Sequence, residues 1–386
     1  MNHLLVVAPN WLGDAVMALP AIADVRRASR DASITVAARR PLAPFFSMVG
    51  DVNDVIPLEP RRPARGVAAW RDLGAELRGK PFEAALLLPN SFHAALMAKR
   101  AGIPERWGYR TEWRGPLLTR GVDRAPSGVH QVDYYQQLVH ALGFPNGPVV
   151  PRLDVSPQLR AAGARALGDA GWDRRTPLVA LAPGAAYGGA KRWPAAAFAE
   201  LAQALVGDGM AVVLVGSAAD APAGQQIMAA RASGSPVFNL IGNDLPALAG
   251  VLVNCRALVG NDSGATHLAA ALGVSVTAVF GPTDEQVTGP RGEVRLKADA
   301  TYDGRDVRGA EDVRGVRLEP DHAKRDAMSG TSDSRGVRLE PDLLTPTIVT
   351  HPVWCRPCGL RECPLDHRCM RGIGVDAVLA ATRRTL

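Results

Sequence analysis

Long apolar runs and aromatic side chains are in short supply in this 386-residue chain, and each shortage excludes something. No apolar run approaches the roughly 18–20 residues that cross a bilayer, so no membrane-spanning helix is expected. Aromatics make up only 5%, and no Lys/Arg run is interleaved with them, so nucleic-acid binding is not expected. Gly (39) and Pro (30) are plentiful but follow no period, which excludes a collagen-like rod. The first residues, MNHLLVVAPNWLGDAVMALP, lack a basic leader and carry Asn10 and Asp14, so they read as a buried strand and turn rather than a signal peptide. A cytosolic protein is predicted. Hydrophobic residues at 47% and charged residues at 21% match a folded globular chain and exclude wholesale disorder.

The net charge is +6, and residues 1–150 hold most of the excess, with 18 Lys/Arg against 13 Asp/Glu. A basic first half fits an anionic acceptor or an anionic membrane surface.

Short apolar strands alternate with amphipathic segments throughout, the pattern of parallel α/β layers. In the first half the strands are expected at 4–8, 34–38, 54–58 and 84–88, with helices near 15–28, 66–78 and 92–101. The Pro/Gly-rich stretch 143–157 reads as a linker. Strands resume at 177–183, 211–216, 237, 257 and 274, with a helix near 194–206. Two doubly wound halves joined in this way place a ligand cleft at the carboxyl ends of their strands. Residues 291–345 break the pattern: RGVRLEPD occurs at 314–321 and 335–342, with an imperfect copy at 291–299. Dense, nearly balanced charge and sparse apolar residues predict a flexible insertion there.

Four clusters carry chemistry. Asn10-Trp11-Leu12-Gly13-Asp14 lies between the first strand and the first helix, where Asp14 reads either as a helix N-cap or as a general base facing the cleft. Gly184 to Pro194 is a Gly-rich loop before a Pro-started helix, with Lys191 and Arg192 to meet an anion. It is not a Walker A loop, since Arg192 follows Lys191, and it lacks G-x-G-x-x-G. Gly260-Asn261-Asp262-Ser263-Gly264-Ala265-Thr266-His267 offers backbone donors and hydroxyls to a diphosphate and a carboxylate to sugar hydroxyls. His267 reads equally as a ligand contact or a structural histidine. Cys355, Cys358, Cys363 and Cys369 fall within fifteen residues, a spacing that reads either as a structural zinc or cluster site or as a reduced thiol group. Cys255 stands apart and reads as core.

In order, APNWLGDAVMALP, LLLPNSFHAAL, ERWGYRTEWRGPLLT, PGAAYGGAKRWP, GNDSGATHLAAALG, FGPTD and CRPCGLRECPLDHRCM resemble the ADP-heptose:lipopolysaccharide heptosyltransferases, closest to the heptosyltransferase II branch. The resemblance spans the chain outside the repeats. It implies a GT-B architecture: Rossmann-like domains over 1–150 and 156–373, with a last helix, 374–386, crossing back to the first. It implies metal-independent, inverting transfer of L-glycero-D-manno-heptose from ADP-heptose to the lipopolysaccharide inner core, with no catalytic cofactor. The absence of any Asp-x-Asp pair suits that requirement. Residue by residue, it makes Asp14 the base, Lys191 the donor-phosphate cation and Asp262 the contact to heptose hydroxyls. Ser263, Gly264 and Thr266 line the diphosphate, and Asp220 holds the ribose. Arg106, Tyr109, Arg110 and Arg114 fall where acceptor phosphates are expected. A GT-B enzyme with another donor, or a non-catalytic sugar-nucleotide-binding scaffold, are the other classes compatible with these residues.

Overall fold

The computed structural model describes residues 1–59, 74–293 and 346–386. The repeats at 294–345 and most of the helix expected at 66–78 lie outside the described residues. Two six-stranded parallel sheets form within one compact unit.

The first sheet has the order β3-β2-β1-β4-β5-β6, with β1 His3–Val7, β2 Ser33–Arg39, β3 Asp54–Leu58, β4 Ala84–Leu87, β5 Glu105–Tyr109 and β6 Arg120–Val122. The second repeats it as β12-β11-β10-β7-β8-β9, with β7 Leu178–Ala182, β8 Ala211–Leu214, β9 Val237–Asn239, β10 Ala257–Asn261, β11 Ser275–Phe280 and β12 Thr347–Thr350. Central strands are apolar along their whole length because helices cover both faces: Leu4, Leu5 and Val6 in β1 are fully buried, as are Val179, Ala180 and Leu181 in β7. In each sheet the chain reverses direction beside its first strand, between β1 and β4 and between β7 and β10. Doubly wound sheets bind ligands at these switch points.

The helix expected at 15–28 is two helices, Leu12–Met17 and Leu19–Ala28. Pro20 has no N–H to give the preceding turn, so the first helix stops and a second starts one residue earlier, with proline in its first turn. The second helix is held to helix Gln131–Ala141 by a fully buried carboxylate, Asp24, whose Oδ2 accepts from Gln136 Nε2 at 2.9 Å and meets His140 Nε2 at 2.9 Å. Its other oxygen meets Arg27, so the buried charge is compensated.

The last helix, Val375–Arg383, does not cross back. It packs on helix Ala195–Gly207 and on β11 and β12. Val378 and Ala381 are buried there, and Arg383 grips Asp208 with two bonds of 2.7 and 2.8 Å. Its apolar stripe finds its complement on the second sheet, so nothing draws it to the first.

Candidate functional site

Three loops at the switch points converge. The first follows β1. Trp11, not Asp14, is the N-cap residue of helix Leu12–Met17; Asp14 lies in its first turn and makes no capping bond. The N-cap reading of Asp14 is therefore set aside. Among the described residues its carboxylate has no hydrogen-bond partner. Burial raises its pKa above 3.8; His267 and Lys191 act against this, and Asp262 adds to it. A partly buried, unpaired, more basic carboxylate is suited to taking a proton.

The second loop follows β7, running from Pro183 through a tight turn at Gly189–Lys191 to the helix Ala195–Gly207. The third follows β10. Asn261 ties the two together: its Nδ2 donates to Pro183 O at 2.8 Å and its Oδ1 accepts from Trp193 N at 3.0 Å. Lys191 Nζ then meets Asp262 Oδ2 at 2.5 Å, and Thr283 Oγ1 donates to the same oxygen at 2.6 Å. Burial would raise the pKa of Asp262, but His267, 3.9 Å from Oδ1, and the Lys191 ammonium hold it at about 2. Asp262 is thus a fixed anion.

The two halves meet at glycines. A Cβ on Gly264 would lie 2.6 Å from Leu12 Cβ, and one on Gly13 would lie 3.0 Å from His267 Cδ2. Hydrogen at Gly264 is what lets the loop carrying Asp14 come this close to the loop carrying Asp262, and at Gly13 a Cβ would press on the His267 ring. His267 is buried in this contact. Thr266 is also buried and spends its hydroxyl on Asn261 O at 2.6 Å, while Ser263 Oγ lies 3.5 Å from it. Asp220 Oδ2 accepts from Ser217 N and Oγ at 2.9 and 2.8 Å, a capping box; a Cβ on Gly184 would lie 2.3 Å from its Oδ1. Gly184 is therefore required by Asp220 beneath it.

The four first-half residues part company. Arg106 is consumed by backbone, donating to Leu117 O, Ile103 O and Pro104 O at 2.7, 2.6 and 2.8 Å. Tyr109 is buried, its hydroxyl donating to Tyr134 O at 2.7 Å. Arg110 is exposed beside Asp123 at 2.9 Å. Arg114 is fully buried, with Nε on Tyr109 O at 2.8 Å and Nη1 on Pro89 O; its Nη2 has no partner, nor has Asn90 Oδ1. Burial lowers the Arg114 pKa to about 10. A hollow of about 250 Å³ opens at the carboxyl ends of the first sheet, lined among others by Asn10, Arg39, Ser91 and His93.

Of the two readings of the cysteine cluster, the structural-zinc reading finds no support. All five cysteines are free thiols, and among the described residues no group of three or more His, Cys, Asp or Glu is placed to hold a metal ion. Cys369 is drawn into the second core beside Met370 while Cys358 stays at the surface. Cys255 is buried, as expected of a core residue. The cysteine-rich segment acts as a strap over the Gly-rich loop: Ala190 N donates to Arg361 O at 3.0 Å, Gly189 N to Glu362 Oε1 at 3.1 Å, and Tyr187 Oη to Gly359 O at 3.0 Å. Sequence reasoning missed Thr283, Tyr187 and Arg361. Thr283 sits in FGPTD, where the eye goes to the glycine and proline, and Arg361 was hidden among the cysteines.

Twin Rossmann-like sheets, with a free carboxylate on one side of the seam and a cation–carboxylate pair under a Gly-rich loop on the other, define a GT-B glycosyltransferase. Residues 70–300 match glycosyltransferase family 9 (heptosyltransferase). The chain is 36% identical over 296 residues to lipopolysaccharide heptosyltransferase 2 of Salmonella typhimurium, spanning 74% of this chain and 85% of that one. Against lipopolysaccharide heptosyltransferase 2 of Escherichia coli K12 it is 35% identical over 299 residues, with coverage of 74% and 85%. The solved E. coli ADP-heptose lipopolysaccharide heptosyltransferase II superposes with a TM-score of 0.66 at 34% identity, covering 75% of this chain and 88% of that one. E. coli heptosyltransferase WaaC with ADP shares the fold, with a TM-score of 0.61 at 21% identity and coverage of 75% and 91%. The chain belongs to glycosyltransferase family 9. No helix among the described residues is long and apolar enough to cross a membrane.

Proposed function

We propose that the chain moves L-glycero-D-manno-heptose from ADP-heptose to the lipopolysaccharide inner core, with inversion at the anomeric carbon. The observation that carries this reading is the unpartnered Asp14 carboxylate facing the Lys191–Asp262 pair across the seam. Asp14 takes the proton of the acceptor hydroxyl, whose oxygen attacks the anomeric carbon from the first-half side. The bond to the β-phosphate oxygen breaks with its electron pair, and Lys191 offsets the charge that appears on ADP. One displacement with no protein nucleophile inverts the centre. Asp262, ionised throughout, accepts from heptose hydroxyls. Ser263, Gly264 and the loop at Gly184 flank the diphosphate, Thr266 shapes that turn from behind, and the free oxygen of Asp220 faces the ribose.

On the acceptor side, the exposed Arg110, beside Asp123, is the one of the four that can reach core phosphates or carboxylates; Arg106, Tyr109 and the fully buried Arg114 shape the strand and turn that carry it. The basic first half, with Trp113 94% exposed beside Arg110, fits peripheral attachment to the cytoplasmic face of an anionic inner membrane. Thermal stabilisation by ADP-heptose, compared with ADP, UDP-sugars and GDP-mannose, followed by a transfer assay with deacylated inner core, tests the reading. Stabilisation by a UDP- or GDP-sugar above ADP-heptose would replace the donor. Stabilisation by none of them, without transfer, would leave a scaffold.

A further inference from the structure

We propose that Arg361, carried by the cysteine-rich strap, is a second cation for the donor's diphosphate, held over the Gly-rich loop between Tyr187 and Trp11; this rests on reading that loop as the ADP site. The strap is bolted down just ahead of Arg361. Arg356 Nε donates to Gly281 O at 2.7 Å and Gly359 N to Pro282 O at 2.8 Å, on the loop after β11. Arg361 itself is fixed at main chain and side chain. Its carbonyl accepts from Ala190 N at 3.0 Å and its Nε donates to Tyr187 O at 3.0 Å. A Cβ on Gly188 would lie 2.2 Å from Arg361 O, so the loop is glycine where the strap crosses it.

The guanidinium lies 5.1 Å from the Tyr187 ring centroid and 5.9 Å from that of Trp11, an arrangement in which both rings steady a cation. Lys191 Nζ lies 4.8 Å from the same Tyr187 ring, so two positive groups share one aromatic side chain. Their charges are not equally available. Lys191 is engaged by Asp262 at 2.5 Å, whereas among the described residues no carboxylate pairs with Arg361. An arginine has five donors in a planar fork suited to phosphate oxygens, and here only Nε is used. ADP leaves with one more negative charge than it carries as the sugar ester, so a group on the leaving side stabilises departure as well as binding. Arg361 is tied to residues 187–190, which puts it on the donor side, and it reaches the first half at the Trp11 ring.

The test uses the full chain and titration calorimetry with ADP and AMP at low and high salt. Arg361→Gln keeps a donor toward Tyr187 O but removes the charge, and is expected to weaken ADP about tenfold, with AMP unchanged and the difference shrinking as salt rises. Arg361→Lys should recover part of the loss. Gly188→Ala, which displaces the strap without altering any charge, should reproduce the ADP-selective loss. ADP affinity unchanged in Arg361→Gln, or ADP and AMP weakened alike, overturns the proposal, as does a rise in acceptor KM with ADP binding intact. Wild-type protein that binds no ADP overturns instead the reading of the loop, a separate outcome.

Discussion

At the scale of single residues, Asp14 shows function set against stability. A carboxylate whose pKa is raised by burial costs the folded state whenever it is ionised. That cost is fully present above the raised folded-state value and vanishes below the unfolded value of 3.8. Asp14→Asn should therefore melt at or above the wild-type temperature at neutral pH, with the gain fading as the pH approaches 4. Turnover should fall by about 10²–10⁴, the scale of a lost general base, while ADP affinity stays the same. The wild-type rate should fall on the acid side at a pH above that of an ordinary aspartate, and the variant should lose that limb. Wild-type turnover in Asp14→Asn, or an unshifted acid limb, would remove Asp14 from the chemistry. Asp262 behaves oppositely: held low by His267 and Lys191, it stays charged and contributes no limb in the working range.

At the scale of elements, the site depends on how closely helix Leu12–Met17 approaches helix Gly264–Ala271. Gly264→Ala would set a Cβ 2.6 Å from Leu12 Cβ, and backbone has to move because neither atom is the end of a flexible side chain. Destabilisation of about 1–3 kcal/mol is expected, with a fall in transfer rate as Asp14 draws back from the donor. Gly207→Ala, at the end of helix Ala195–Gly207 with nothing within 4 Å, is the control; its melting temperature should hold or rise. Equal behaviour of the two variants in denaturation and transfer assays would show that the close approach does not matter. This contact was only half legible. The buried strands could be read from their continuous apolar runs, and β3 occupies the 54–58 that its sequence indicated. By contrast, β5 and β6 carry Arg106 and Arg120, whose heads bond to carbonyls of Leu117 and Leu142, so the run looks too charged for a strand. Asp14, Lys191 and Asp262 were legible because each follows a strand. Arg361 was not, since nothing in its own neighbourhood shows that the strap crosses a loop 170 residues away.

At the scale of the molecule, the question is what the 291–345 stretch contributes to a fold that is otherwise two copies of one topology. The crossover from β11 to β12 has to travel over the sheet, and its first part, residues 281–293, includes the short helix Glu285–Thr288. Before the stretch, the chain is already anchored: Arg291 holds Asp133 with bonds of 2.7 and 2.8 Å, and His130 Nε2 meets Gly289 O at 2.9 Å. After it, β12 pairs with β11 in register from Thr347 to Thr350. The two anchors lie near one another, since a Cβ on Gly289 would be 3.0 Å from Ile348 Cδ1. The repeats themselves offer few apolar residues and no strand or helix periodicity. Removing 293–343 through a short join from Gly292 to Leu344 should therefore leave ADP affinity intact. The shorter closure favours the folded chain by only about 0.6 kcal/mol per halving of length, so the melting temperature should move little. Limited proteolysis of the full chain should cut first near Arg305, Arg308 or Lys324-Arg325, leaving two fragments that elute together. A deletion that fails to fold, or a segment that outlasts the body under protease, would show that the repeats contribute to the core and that the boundary drawn at 291–345 is misplaced.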